Sequence, residues 1–218
     1  MSYGAVHTRM SVEDRRSQLV DAALEVASRH GIAATTVRRV AERAGVALGV
    51  VHYCFEDKDE LFGALATRIV DSLVLAGTAG LHLDAGVDLV TALRAAIAGL
   101  WESIEATPGE QLLTYEITTH ALRTESLRTV AEHQYAVSQA GSEALLSLAA
   151  TASGATWTRP VGELAAEALA FVDGVTLRWL VDGDGAAARA RLDTFSAYLA
   201  GSAKPARRRR APAVPAAS

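Results

Sequence analysis

Apolar residues return every three or four positions along most of this chain, the spacing that gathers them on one face of a helix. Leu19, Ala22, Ala23, Val26 and Ala27 follow that spacing, with a capping pair, Ser11 and Asp14, ahead of them and a stop at Gly31. They predict a first helix. A second, short helix opens at Thr35 or Thr36, both good N-caps, buries Val37, Val40, Ala41 and Ala44, and stops at Gly45. After one linking residue, a third runs over 47–55. Two short helices joined by a tight turn containing glycine form a helix-turn-helix pattern.

Downstream, Asp57 caps a longer helix carrying Leu61, Leu65, Ile69 and Leu73. The next is predicted over 85–106, with Leu89, Leu93, Ile97, Leu100 and Ile104, and Pro108-Gly109 to end it. Helices over 110–122 and 126–149 precede a polar loop at 151–160. The most apolar helix follows at 161–181, then a Gly-Asp-Gly break and a last helix over 186–199. From Gly201 onward Pro, Ala and Arg offer no core-forming pattern and predict a disordered tail, and residues 1–10 read as a frayed arm. The expectation is an all-α fold of about nine helices. Its expected divisions are a helix-turn-helix unit at 11–60, a larger helical unit at 61–200, and a basic tail at 201–218.

Composition supports the helical reading: half of the 218 residues are hydrophobic, chiefly Ala and Leu, and only 6% are aromatic. The net charge of −4 excludes a protein coated in positive charge. Lys204 and the arginines at 207–210 concentrate at one end and leave the body acidic, so nucleic-acid binding requires a local, shaped surface. The arginine run either adds non-specific phosphate affinity or is a solvated end. One cysteine, Cys54, excludes an intramolecular disulfide and fits a reducing compartment. No leader pattern is evident, and no apolar stretch approaches the roughly 18 residues of a membrane span. The expected location is cytoplasmic, with no membrane partner.

The stretch from Thr36 to Leu61 reads TVRRVAERAGVALGVVHYCFEDKDEL. Thr36, Val40, Ala41, Ala44, Gly45 and Val46 match a common helix-turn-helix run. The more selective second half is Gly49, Tyr53, Phe55, Lys58, Glu60 and Leu61. The segment resembles the DNA-binding region of the TetR family of bacterial transcription regulators, with a close match over about 19–65. Ala47 departs from the Ser or Thr often found there and cannot cap a helix.

A recognition helix needs one buried face and one small or polar face able to enter the major groove. Val46, Val50 or Val51, and Phe55 suit the first; Ala47, Leu48, Gly49 and His52 suit the second. Tyr53, Lys58 and Thr36 are candidates for phosphate contacts, which fix register. Arg38 and Arg39 are candidates for a phosphate or a guanine edge. Specificity is expected to lean on Arg38, His52, contact of Leu48 with thymine methyls, and DNA shape.

The resemblance implies double-stranded operator DNA as partner, a homodimer, and repression relieved by a small apolar or amphipathic effector. It implies dimerisation through the last two helices, where Leu164, Ala168, Phe171, Val172, Val175 and Trp179 form one apolar stripe. Leu192, Phe195 and Leu199 form another. Candidate effector contacts are Trp101, Ile104, Leu112, Tyr115, Thr119, His120 and Tyr135, each also explicable as ordinary core. Catalytic, metal and cofactor signatures are not recognised. His52 and Cys54 lie two apart and face different ways, so Cys54 reads as a packing residue. Glu116 and His120 share a helix face as a surface pair or pocket lining. A helical interaction module without specific DNA binding is the alternative that the acidic body and Ala47 leave open.

Overall fold

Capping side chains set the helix starts. In the computed structural model, which describes residues 10–80 and 87–205, the Ser11 hydroxyl accepts from the Asp14 amide at 3.0 Å and opens α1 (Val12–His30). Gly31 ends it at φ 76°, a conformation residues with a Cβ rarely adopt. The Thr36 hydroxyl accepts from the Arg39 amide and starts α2 (Val37–Ala44), whereas Thr35 is buried and donates to the Gly31 carbonyl. Gly45, at φ 67°, turns the chain into α3 (Leu48–Cys54). Asp57 accepts from the amides of Asp59 and Glu60 and opens α4 (Lys58–Gly80).

The cap of α5 (Leu89–Ala106) is Asp88; the expected start at Ala85 lies outside the described residues. Pro108 is the first residue of α6 (Pro108–Arg123), where its missing N–H costs no helical bond. A 3₁₀ turn, Glu125–Leu127, leads into α7 (Arg128–Ser153), which Gly154 ends. The last helices are α8 (Val161–Asp182) and α9 (Gly185–Ala200). The expected polar loop contains β1 (Thr156–Trp157), paired antiparallel with β2 (Ala203–Lys204), so the first residues of the expected tail are ordered. Two-residue strands are too short to show a period in the sequence. The arginine run at 207–210 lies outside the described residues.

Among the described residues the nine helices enclose two main regions of core. Leu19 and Ala23 of α1, Val40 of α2, and Val51 of α3 pack with Leu61 and Leu65 of α4, and Leu113 and Ile117 of α6 close the same cluster. The second region draws on α5 and α7 to α9, around Leu93, Leu146, Leu164 and Leu199, with Trp101, Val175 and Leu192 beside it. The sequence led us to expect no span-length apolar stretch, but α4 is long and apolar enough over Lys58–Ala79 to cross a membrane. It runs through Gly77, which packs against Leu145, and its Leu61, Phe62, Leu65 and Ile69 are all buried in the fold.

Candidate nucleic-acid interface and ligand cavity

The third helix presents two unlike faces. Val51, Cys54 and the following Phe55 are buried, and Val46 and Val50 pack at the edge of the same core. Ala47, Leu48, Gly49, His52 and Tyr53 are exposed, Leu48 by 45% and Tyr53 by 76%. A Cβ added at Gly49 would meet nothing within 4 Å, so the helix surface is notched there. Ala47 occupies the N-cap and makes no side-chain cap bond.

The nearby cations are lightly held. Arg38 pairs with Glu42 at 3.0 Å, but the two side chains are 82% and 62% exposed, so the pair adds little stability and is readily exchanged for a phosphate. Arg39 donates to the Ala34 carbonyl at 3.0 Å. The Lys58 ammonium sits 4.8 Å from the Phe62 ring centroid, at the start of α4. Thr36 is exposed with its hydroxyl engaged in the cap.

Arg16 is a residue that sequence reasoning missed. Its guanidinium donates to the Cys54 carbonyl, reaches Glu60 Oε1 at 2.7 Å, and lies 4.3 Å from the Phe55 ring centroid, tying α1 to the end of α3. A backbone hydrogen bond from Glu56, then the bond from Arg16, holds the Glu60 carboxyl below its usual range. Nothing local in the sequence sets the register between residues so far apart.

Glu116 and His120 share a helix face but not a role. Glu116 Oε2 accepts from the Ile32 amide at 2.9 Å, at the turn between α1 and α2, whereas His120 is exposed. Its neighbour Tyr115 points the other way, into a cavity of about 140 Å³ between α4, α5, α6, α7 and α8. The apolar wall includes Ile69 and Leu73 of α4, Leu93 and Leu100 of α5, and Val172 of α8. A polar wall faces it, with Gln111 and Tyr115 of α6, Gln134 and Tyr135 of α7, and Asp173 and Thr176 of α8. The Tyr135 hydroxyl donates to Asp173 Oδ2 at 2.9 Å, and the Tyr115 hydroxyl donates to the Asp173 carbonyl at 3.0 Å. Burial raises the Asp173 pKa against the opposing Tyr135 bond. Burial, then the Asp173 charge, pushes Tyr135 up to about 12 and moves Tyr115 in the same direction.

Of the predicted ligand contacts, Ile104, Tyr115 and Tyr135 line this cavity. Trp101 does not: it is buried in the adjoining core, edge-on to Trp179 at 5.4 Å between ring centroids. Leu112, Thr119 and His120 are exposed, because the row of α6 that faces the cavity is Gln111, Thr114, Tyr115 and Thr118. Asp173, Gln134 and Thr176 were missed. An acid inside the most apolar helix was the available signal.

The predicted dimer stripe also needs correction. Leu164, Val175, Leu192, Phe195 and Leu199 are buried within one protomer, while Ala168 and Val172 line the cavity. Phe171 stacks on Phe195 at 4.1 Å between centroids, and Trp179 packs on Trp101. The helix α8 is apolar on two faces, and most of the stripe chosen from sequence is on the inward one, with Phe171 at the edge of a surface groove beside Ala170 and Tyr198. Outward lie Ala170, Gly174, Leu177 and Val181, beside Tyr198 of α9; Leu177 is 48%, Val181 80% and Tyr198 56% exposed.

An exposed, notched helix on a small helical core, joined through α4 and α6 to a ligand-sized cavity, defines the class: a helix-turn-helix protein with an internal pocket. The profile described as "Bacterial regulatory proteins, tetR family" matches residues 19–65. The HTH-type transcriptional regulator BetI of Paraburkholderia xenovorans (strain LB400) is 30% identical over 189 residues, covering 86% of this chain and 92% of that one. The chain belongs to the tetR family of bacterial transcriptional regulators, with its helix-turn-helix DNA-binding region near the N-terminus. The HTH-type nicotine-responsive transcriptional repressor HdnoR of Paenarthrobacter nicotinovorans is 44% identical over 66 residues, 30% of this chain and 34% of that one. A transcriptional regulator from Rhodococcus sp. Rha1 superposes with TM-score 0.64 at 27% identity, covering 86% of this chain and 97% of that one. The multidrug binding protein EbrR, solved with imidazole, gives TM-score 0.58 at 29% identity over 83% and 93% of the two chains.

Proposed function

We propose that this protein is a homodimeric, cytoplasmic repressor that holds a palindromic operator through two copies of α3 and releases it when a small apolar or amphipathic effector enters the cavity. The observation that carries this reading is the exposed face of α3, small at Ala47 and Gly49 and flanked by Leu48 and His52. Backbone that approaches base edges closely needs such a face. Thr36, Tyr53 and Lys58 then contact phosphates, and Arg38 and Arg39 exchange their weak internal partners for DNA. Residues 11–60 serve as the reading unit and 61–200 as the effector and dimer unit. The outward stripe of α8 and α9 seats the second copy, so that the two α3 helices stand about 34–36 Å apart in successive major grooves. Repression is supported by the nicotine-responsive relative, which is a transcriptional repressor.

Release follows from shared helices. A ligand that displaces the cavity wall at Ile69 and Leu73 also moves Leu61 and Leu65 of α4, which seat α3. A coupling of about 1–3 kcal/mol changes operator affinity roughly 5–150-fold. The test is a mobility shift on DNA from upstream of the gene, at fixed salt, with competitor DNA. Retention of the complex against competitor supports the repressor. Loss to competitor favours a helical ligand-binding module without specific DNA binding.

A further inference from the structure

We infer that the cavity selects a lipophilic protonated amine, with Asp173 as its counter-ion; this rests on the effector reading above and deepens it. Among the described residues Asp173 is the one acid that lines the cavity, and no Lys, Arg or His does. Among the described residues its carboxylate joins no ion pair and accepts only from Tyr135. A carboxylate held in apolar surroundings without a cation is costly, and a bound cation removes that cost.

A second observation points the same way. Gln134 is 3% exposed, lines the same cavity, and its Oε1 has no hydrogen-bond partner. Buried acceptors are rarely left unpaired in a folded protein. The Thr176 hydroxyl is also buried on this wall and makes no hydrogen bond of ordinary geometry. Gln134 Oε1 therefore lacks a donor, and the Thr176 hydroxyl can accept from the same group. An ammonium N–H supplies the donor and the charge together, whereas a neutral hydrocarbon supplies neither. Tyr115 and Tyr135 flank Asp173, and aromatic rings attract cations. Ile69 and Leu73 of α4 with Leu93 and Leu100 of α5 make an aliphatic wall that suits an apolar body. An anion would meet the carboxylate with no compensating cation.

The test uses the full-length protein and three probes of similar size. They are N,N-dimethylphenethylamine, protonated at neutral pH; isopentylbenzene, its neutral carbon isostere; and hydrocinnamate, an anion. Calorimetry is expected to show the amine binding at least about tenfold more tightly than either of the others, the low end for a close charge pair. Asp173→Asn preserves an acceptor for Tyr135. It is expected to lose about tenfold or more for the amine while binding isopentylbenzene as the unaltered protein does, which also checks that the pocket is intact. Equal binding of the amine and isopentylbenzene, undiminished amine binding by Asp173→Asn, or no binding of any probe at millimolar concentration overturns the inference. An operator-release assay separates it from the broader reading. If the amine binds through Asp173 but leaves the operator complex intact, the cation site stands and the effector role fails. If isopentylbenzene releases the operator as well as the amine does, the effector role stands and cation selection falls.

Discussion

Replacing Glu116 with alanine tests whether α6 latches the DNA-binding core to the rest of the molecule. Glu116 Oε2 is the acceptor for the Ile32 amide at 2.9 Å, and Ile32 itself is only 9% exposed. A hydrogen bond to a charged group is worth about 1.5–3 kcal/mol net, and a buried donor left unpaired costs about 1–3 kcal/mol. Glu116 is partly exposed, so water can replace some of the loss, and the lower half of that range is expected. For a chain of this size, about 1–2 kcal/mol lowers the melting temperature by roughly 2–8 °C. Glu116→Gln keeps a neutral acceptor and is expected to lose less. The assay is scanning calorimetry at one fixed protein concentration, because the proposed dimerisation would make the melting temperature concentration-dependent. The same variants, tested with effector and operator, are expected to show a smaller ligand-induced change in affinity. A melting temperature for Glu116→Ala within about 1 °C of the unaltered protein would refute the latch. Equal losses for the alanine and glutamine variants would refute the hydrogen bond as its basis.

Three further outcomes follow. Gly49→Ala is expected to raise stability by about 0.5–1 kcal/mol, since the site is helical and open, while weakening operator binding by filling the notch; unchanged affinity in a mobility shift would count against the close approach of α3 to DNA. Val181→Glu, at an 80% exposed position on α8, is expected to leave the fold intact and shift sedimentation towards the monomer, and an unaltered dimer would rule out the outward stripe as the interface. Asp173 titrates above its ordinary value of 3.8 in the folded protein, so its contribution to stability is present below that pH and lost as pH rises through the raised value. Asp173→Asn should therefore gain in melting temperature relative to the unaltered protein as pH climbs from about 3 to 7, and a constant difference would contradict the sign.

Much of the reading unit was legible because its signals are local. Ser11, Thr36 and Asp57 cap the helices they precede, and Gly31 and Gly45 occupy the positive-φ positions their places suggested. The exposed face of α3 follows directly from the burial of Val51 and Phe55. Further along the chain, the face of each helix is set by tertiary packing. With α8 apolar on two sides, Leu164 and Val175 were indistinguishable in sequence from Leu177 and Val181, yet one pair is buried and the other exposed. On α6 the choice between Gln111 and Leu112 turns on a rotation that hydrophobicity misjudges: the glutamine faces the cavity and the leucine faces solvent. Arg16 and Glu116 act across 38 and 84 residues, distances over which no spacing rule applies.

The closure of the first core by Leu113 and Ile117 has an engineering consequence. A chimaera that grafts residues through α4 onto a foreign sensor would still expose an apolar seam, because the two side chains that finish the cluster arrive only on α6. A transplant that keeps the donor's α6 surface together with its N-terminal segment keeps the seam covered, so the interchangeable module of this protein is discontinuous in sequence.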